Sequence, residues 1–353
     1  MRYFIVNIVP RDLVVKYKIS TAALNFCECL INAKIFDKTY SILPTNISRY
    51  DDKTKCEGYD VVTSRMRGDN KLLRFVASFW EQVLLFFKIK SQSNVWLYNL
   101  TILNVLLVIL LKVFKPSVKI YTIVLDFTPE AKENRILLPI LNKSNGIIKL
   151  ADSPLFTVAN SICLPGVVDT TTTQERIEFP LTKDFIVGGN IKEQIVMISM
   201  LLDVFSKMPE YTLHISGIAQ NPELIQKYAA QYPNIKYYGF APYNEYLEVL
   251  KKCPFILSTR DPKEERNQCN FPSKIMEGLL YNKIIISTIH YPQLDGLNYF
   301  EVPSDSQGFA ESLRLITSLT DEELSKYANQ ADKVKEMFST DIWRKQIQKI
   351  ENC

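Results

Sequence analysis

The stretch Asn270-Phe-Pro-Ser-Lys-Ile-Met-Glu-Gly-Leu-Leu-Tyr-Asn-Lys-Ile-Ile-Ile-Ser-Thr288 reads as a short helix that hands over to an apolar, β-branched strand. Asn270 suits an N-cap, and Pro272 suits the first helical turn, where a missing N–H does no harm. The free amides of Ser273 and Lys274 then point out of a helix N-terminus, a place that favours an anion. Lys274 and Glu277 are three apart and Ser273 and Glu277 four apart, so one face carries a hydroxyl, a cation and a carboxylate. That set complements a diphosphate and the hydroxyls of a ribose. It is also what an exposed Lys–Glu pair looks like, which contributes only about 0.3 kcal/mol to a helix. Taken alone, these residues leave both readings standing.

Working outward, short runs rich in Val, Ile and Tyr alternate with segments of helical period along the whole chain, the pattern of parallel sheets built from βαβ units. Strands are expected at 2–9, 39–43, 59–63, 94–98, 118–125 and 146–150, with helices at 20–33, 70–88 and 102–114. After 169 the rhythm restarts, with strands at 185–187, 211–216, 235–238, 254–258 and 283–288 and helices at 193–207, 222–231, 243–252 and 272–281. Between the halves, Asp169-Thr-Thr-Thr-Thr-Gln-Glu-Arg176 is polar and without helical period, which suits a linker. The expected architecture is α/β: two doubly wound, Rossmann-like domains facing each other across a cleft. The N-terminal domain covers 1–168, a linker 169–184 and the second domain 185–335; a C-terminal helix, 336–353, is long enough to pack back on the first domain.

Composition narrows the function classes. The 353 residues are 47% hydrophobic, 23% charged and 11% aromatic, as in ordinary globular proteins, and their number suits two domains. Seven scattered cysteines without C-x-x-C spacing signal neither a disulfide framework nor a zinc ribbon, and fit a reducing cytoplasm. His214 and His290 sit far apart in apolar segments, read as structural, and leave no multi-histidine metal site to expect. Residues 1–168 carry 22 Lys+Arg against 13 Asp+Glu, a charge of +9, whereas residues 169–353 carry 20 against 25, a charge of −5. The basic half suits an anionic membrane or a phosphorylated substrate; its cations form no run and no nucleic-acid-binding motif, so nucleic acid is not an expected partner. The N-terminal apolar run stops at Pro10 and has no cleavage-site pattern, and 95–114 is interrupted by Asn99, Thr101 and Asn104, too polar for a spanning helix.

The familiar phosphate-binding loops are missing. No G-x-G-x-x-G follows the first strand, no P-loop occurs, and no D-x-D triplet offers a metal-bound nucleotide-sugar site. Glycine is scarce at 11 residues, so Gly188-Gly189, expected where a strand turns into a helix, stands out as a place for amides to meet a phosphate. A tight turn without a ligand explains the pair equally well.

Pro272-Ser-Lys-x-x-Glu277, followed by Gly278, Lys283 and a strand, resembles the nucleotide-binding signature of family 4 glycosyltransferases of the GT-B fold, in its P-S-K-x-x-E variant. Phe185-Ile-Val-Gly-Gly-Asn190, Leu213-His-Ile-Ser-Gly217 and Tyr237-Tyr-Gly-Phe240 match, in order, the glycine-containing steps that precede that signature, and Leu164-Pro-Gly-Val-Val-Asp169 looks like the turn that closes the first domain. The resemblance covers 164–290 well and the earlier chain less.

It implies that Glu277 holds the donor ribose and that Ser273, Lys274 and the amides after Pro272 contact the diphosphate, with Gly188, Gly189, Asn190, Lys192 and Phe240 completing the donor site. Asn190 stands where many relatives have Arg, and Lys192 or Arg260 is assigned the missing charge. Cys269 stands where the commoner motif has a second glutamate, and Asn282 replaces a helix-ending glycine, which asparagine tolerates. Tyr121-Thr-Ile-Val-Leu-Asp-Phe-Thr128 resembles a strand ending in His-Asp beside the reacting sugar; Leu125 replaces the His, so Asp126 alone carries over, either facing the sugar or capping the next helix. Asp126, Lys274 and Arg260 form the expected catalytic set.

The implied activity is transfer of a sugar from a nucleotide-diphosphate sugar to a saccharide or lipid-linked acceptor, in cell-surface polysaccharide or glycan synthesis. The resemblance implies retention, no metal and no cofactor beyond the donor substrate; the cysteines and the basic first half suit the cytoplasm, or a peripheral place at the inner face of the membrane. A non-catalytic GT-B-like binding or scaffold subunit is the alternative, for which the replaced His and Arg speak.

Overall fold

A sheet that is buried on both faces needs strands apolar on both faces, and the strands of this chain are of that kind: Phe4, Ile5, Val95, Leu97, Phe185, Ile215, Phe255, Ile284 and Ile285 are all at most 1% exposed. The computed structural model describes residues 1–11, 13–14, 22–48, 57–125, 127–170 and 175–353. They divide into two compact units. The first holds Met1–Val167, Cys269–Phe271 and Thr340–Cys353; the second holds Val168–Gln268 and Pro272–Ser339.

In the first unit, β1 (Arg2–Val6), β2 (Lys38–Ile42), β3 (Asp60–Val62), β4 (Asn94–Tyr98), β5 (Lys119–Val124), β6 (Gly146–Lys149) and β7 (Ser161–Cys163) form a sheet of order β3-β2-β1-β4-β5-β6-β7. Every pairing in it is parallel. The helix Thr340–Asn352 also belongs to this unit: Trp343 donates its indole N–H to the Gly166 carbonyl at 2.7 Å, and Glu351 accepts from Trp96 Nε1 at 2.9 Å and Arg2 Nε at 2.7 Å.

In the second unit, β8 (Asp184–Ile191), β9 (Thr212–Ala219), β10 (Ile235–Tyr237), β11 (Phe255–Ser258), β12 (Ile284–Ser287) and β13 (Phe300–Glu301) run β10-β9-β8-β11-β12-β13, again all parallel. Strand order reverses between β8 and β11. Beyond the carboxyl ends of those two strands lies the crevice where such sheets take ligands.

Several elements differ from the sequence reading. Gly188 and Gly189 lie inside β8, paired with Ser216 and Gly217, not at a strand-to-helix turn. The expected helix at 193–207 is two pieces, Glu193–Val196 and Ile198–Ser206, because Met197 takes a left-handed conformation at φ 49°. Asn270 does not cap the signature helix: Pro272 stands at the N-cap, and the Asn270 amide exchanges two bonds with the Phe127 backbone, at 2.7 and 2.6 Å. Helices at Lys132–Leu141, which contains Pro139, at Glu265–Cys269 and at Ser306–Ser318, and the strands β7 and β13, are additional to the expected elements. The C-terminal helix expected at 336–353 is Thr340–Asn352, separated by Ser339 from a helix at Ala331–Phe338, and Asp321–Ser325 forms a further short helix, with Asn329 left-handed at φ 56°.

The helix Lys71–Lys88 is inverted relative to its sequence. It buries Ser78, Glu81 and Gln82 and exposes Leu72, Val76, Trp80 and Phe87. The buried side is satisfied bond by bond. Arg67 donates to both Glu81 oxygens, at 3.0 and 2.7 Å, and to the carbonyls of Leu43, Pro44 and Ile47; Ser64 N–H also donates to Glu81. Gln82 donates to the Ser78 and Ile102 carbonyls and accepts from Leu107 N–H. Removing one partner of such a pair strands a buried charge, so Glu81→Ala is expected to lower stability by about 3–5 kcal/mol. Urea unfolding followed by circular dichroism measures this; a loss below about 1 kcal/mol, the worth of an exposed pair, would contradict the buried pairing.

Candidate functional site

The wall of the site is bare backbone. Gly217, at φ +152°, has no room for a side chain, because a Cβ there would lie 1.9 Å from the Gly189 carbonyl oxygen. Gly189, at φ +104°, has Lys274 Cε 3.7 Å from where its Cβ would stand, and a Cβ on Gly188 would meet Tyr246 Cε2 at 3.0 Å. Only glycine lets β8 and β9 approach this closely while keeping Lys274 and Tyr246 against β8.

The helix Ser273–Leu280 is seated on the sheet by another glycine. A Cβ on Gly278 would overlap Ile256 Cδ1 at 2.3 Å and Ile285 Cδ1 at 2.8 Å, so the helix lies directly on β11 and β12. Ile275, Met276 and Leu279 point into the core, which turns Ser273, Lys274 and Glu277 the other way. Lys274 Nζ stands 2.7 Å from Glu277 Oε2 and 4.1 Å from the centre of the Tyr246 ring, a cation–π contact. Tyr246 and Tyr243, from the helix Tyr243–Lys252, donate their hydroxyls to Glu277 Oε2 at 2.8 Å and Oε1 at 3.2 Å. Burial, and then the Glu277 charge, push both tyrosines well above the usual phenol range, so they remain donors. A carboxylate offers about four acceptor positions; three are taken, and one is left for an incoming hydroxyl.

The structure therefore brings together Gly188, Gly189, Lys274 and Glu277 of the expected donor residues. Ser273 is exposed at the start of its helix, and Pro272 is the buried N-cap before it. Asn190 is exposed near the end of β8, paired across to Ile218. Lys192 caps the Glu193–Val196 helix through its backbone, and Phe240, 49% exposed, follows β10. Arg260 follows β11; its N–H donates to Thr288 Oγ1 at 2.7 Å and its guanidinium to Asn267 Oδ1 at 3.4 Å. Asp126 lies outside the described residues.

Tyr243 and Tyr246 were not singled out from sequence. The signal was two aromatics three apart on one helix face, in a chain with 18 tyrosines, and nothing local ties them to a carboxylate 31 residues on. His214 bridges Tyr238 OH and Asp184 Oδ1, both at 2.8 Å, as a buried structural histidine, while His290 is exposed beside Glu301. Among the described residues, no three His, Cys, Asp or Glu side chains come together as a metal site.

No family model matches the sequence, and no curated protein matches it either. The fold, in contrast, has many solved counterparts. A sucrose-phosphate synthase from Thermosynechococcus elongatus superposes with a TM-score of 0.69 at 11% identity, covering 99% of this chain and 98% of the other. The N-terminal domain of a Candida albicans trehalose-6-phosphate phosphatase gives 0.68 at 13% identity, over 99% and 96%. An E. coli trehalose-6-phosphate structure bound with UDP-2-fluoro glucose gives 0.64 at 9%, over 100% and 99%. What this chain shares with them is the fold: two doubly wound parallel sheets in the GT-B arrangement of elements.

The glycine wall makes a stability prediction with an internal control. Gly239, at φ +62° with open space around it, should accept Ala for about 1–2 kcal/mol of backbone strain. Gly217→Ala drives a methyl into the Gly189 carbonyl and should remove more than about 4 kcal/mol or prevent folding. Equal thermal stability of the two variants would mean that β8 and β9 do not approach as described.

Proposed function

We propose that this chain is a glycosyltransferase that moves a sugar from a nucleotide-diphosphate sugar to a hydroxyl of a saccharide or lipid-linked acceptor, in glycan or cell-surface polysaccharide synthesis at an anionic membrane surface. The observation that carries the reading is the Lys274–Glu277–Tyr246 cluster held against Gly188 and Gly189, beyond the reversal of strand order in a GT-B unit. The neighbour bound with UDP-2-fluoro glucose supports it, because it pairs this fold with a nucleotide-sugar ligand.

The cluster is poised for exchange. Without donor, Lys274 and Glu277 neutralise each other. An arriving diphosphate draws Lys274 to itself, beside the glycine surface of β8 and the N-terminal amides of the Ser273–Leu280 helix, and frees Glu277 Oε2 for a ribose hydroxyl. Tyr243 and Tyr246 keep the carboxylate in place during that exchange. As the glycosidic bond breaks, negative charge grows on the departing phosphate oxygen, and Lys274 stabilises it. Lys192 and Arg260 are assigned supporting charge, Ser273, Asn190 and Phe240 the donor's periphery, and Asp126 the acceptor side. Retention of configuration and independence from metal complete the proposal.

Glu277→Ala is expected to keep the fold and weaken donor binding by about 1–3 kcal/mol. Lys274→Ala should lower turnover roughly a hundredfold to a thousandfold and donor affinity by less, since the additional negative charge on the departing oxygen appears only in the transition state. Lys274→Arg should restore part of that loss, because a planar fork and an ammonium sit differently around a phosphate. Single-turnover donor hydrolysis across a panel of nucleotide sugars, with nucleoside-diphosphate affinity measured alongside, checks all three. Parental activity in Lys274→Ala would remove its role. Tight donor binding without turnover would favour the binding-subunit reading, to which Asn190 and Leu125 point as replaced positions.

A further inference from the structure

The inverted helix leaves a surface unexplained. Leu72, Val76, Trp80 and Phe87 recur at helical spacing on the side opposite the buried Ser78, Glu81 and Gln82, and Leu72 and Phe87 are 69% and 74% exposed. The neighbouring helix Val105–Phe114 packs alongside and extends the surface with Ile109, Val113 and Phe114. Phe86 joins the two helices, with ring centres 5.2 Å from Phe87 and 6.2 Å from Phe114. Along an axis of about 27 Å, this is far more apolar exposure than scattered single residues account for.

The charge around it is mostly positive. Residues 71–119 contain seven basic side chains and one acidic one, Glu81, which is buried and paired with Arg67. Lys71 and Lys88 are the first and last residues of the helix, so exposed cations stand at both ends of the apolar stripe, and Lys112 and Lys119 are exposed by the second helix. Neither helix is long and apolar enough to cross a membrane.

We infer that the paired faces of Lys71–Lys88 and Val105–Phe114 form a monotopic membrane-docking surface, which seats Trp80, Phe87 and Phe114 in the interfacial layer of an anionic bilayer while the flanking lysines meet lipid phosphates. An aromatic and aliphatic stripe rimmed mainly by Lys, with exposed Asp69 and Glu133 beside the starts of the two helices, is the pattern that lies in a lipid interface. A second copy of the chain suits it less, because self-pairing of this face would bring together two surfaces whose exposed cations outnumber their exposed acids. This rests on the membrane part of the proposed function and not on its sugar chemistry.

Trp80 supplies the reporter. Of the three tryptophans, Trp96 and Trp343 are fully buried and Trp80 is 49% exposed, so a change in emission on lipid binding reads this face. With phosphatidylcholine vesicles containing phosphatidylglycerol, the expected result is a blue shift and co-sedimentation that weakens as salt rises; phosphatidylcholine alone should give little of either. Trp80→Phe should bind the vesicles and lose the shift. A Trp80→Glu, Phe87→Glu double variant, both changes being on exposed positions, should bind at least tenfold more weakly with unchanged circular dichroism and unchanged donor hydrolysis in the absence of lipid. Undiminished vesicle binding by the double variant overturns the face and leaves charge elsewhere in 1–168 as the attachment. No binding by the parent protein overturns the membrane reading as well, and a parent dimer in sedimentation analysis that the double variant abolishes assigns the face to a second copy. Donor hydrolysis, assayed without vesicles, stands or falls separately.

Discussion

Gly278 has no space above it, and the placing of the Lys274–Glu277 cluster depends on that. With Ile256 and Ile285 where a side chain would begin, the Ser273–Leu280 helix can rest on β11 and β12 only through a bare Cα. Glu277, the residue before it, and Lys274, one turn back along the helix, are thereby held at the level of β8, where Gly188 and Gly189 have no side chains to keep them away. The same logic repeats between β8 and β9, where Gly217 and the Gly189 carbonyl share space that no Cβ could enter. The site is a set of close approaches made by omission, with polar groups then aimed across the gaps.

Two Lys/Arg–Glu pairs in this chain show how burial decides what such a pair does. Arg67 and Glu81 are at most 1% exposed at their side chains, and Arg67 has further partners in three carbonyls. A pair so enclosed cannot exchange partners without stranding a charge, and it acts as a fixed strut. Lys274 and Glu277 are 33% and 17% exposed, at hydrogen-bond distance but open to solvent on one side. Their attraction is partly screened, and the loss on parting is correspondingly small. That is the state a binding site needs, since a ligand of either charge can replace one partner with another.

The alternation of strands and helices, and most of the second unit, were legible in the sequence because parallel strands buried on both faces are short, apolar and β-branched. The signature at Pro272–Glu277 was legible because helix starts have local chemistry. What escaped was non-local. Gly188-Gly189 looks like a turn because glycine weakens a strand, and only the register against Ser216 and Gly217 shows why it sits inside one. Asn270 has the composition of an N-cap, yet its amide is better spent on both backbone groups of Phe127, a residue 143 positions away. The inverted helix escaped for the same reason: Glu81 faces inward only because Arg67 is already there to receive it.

The opposite charges of the two halves bear differently on two proposed ligands. The second half, at −5, has a net field that repels a nucleotide-diphosphate sugar, so the proposed donor recognition rests on contacts within a few ångströms, from Lys274 and the helix amides. Such contacts lie well inside the Debye length of about 8 Å at physiological salt and are little screened. The first half, at +9, acts on a lipid surface through many exposed cations at once, an attraction that salt weakens strongly. What remains of lipid binding at high salt is then the work of apolar burial by Trp80, Phe87 and Phe114, which salt does not screen. Ionic strength thus separates three terms in one chain: long-range attraction to the bilayer, apolar seating in it, and short-range grip on the donor.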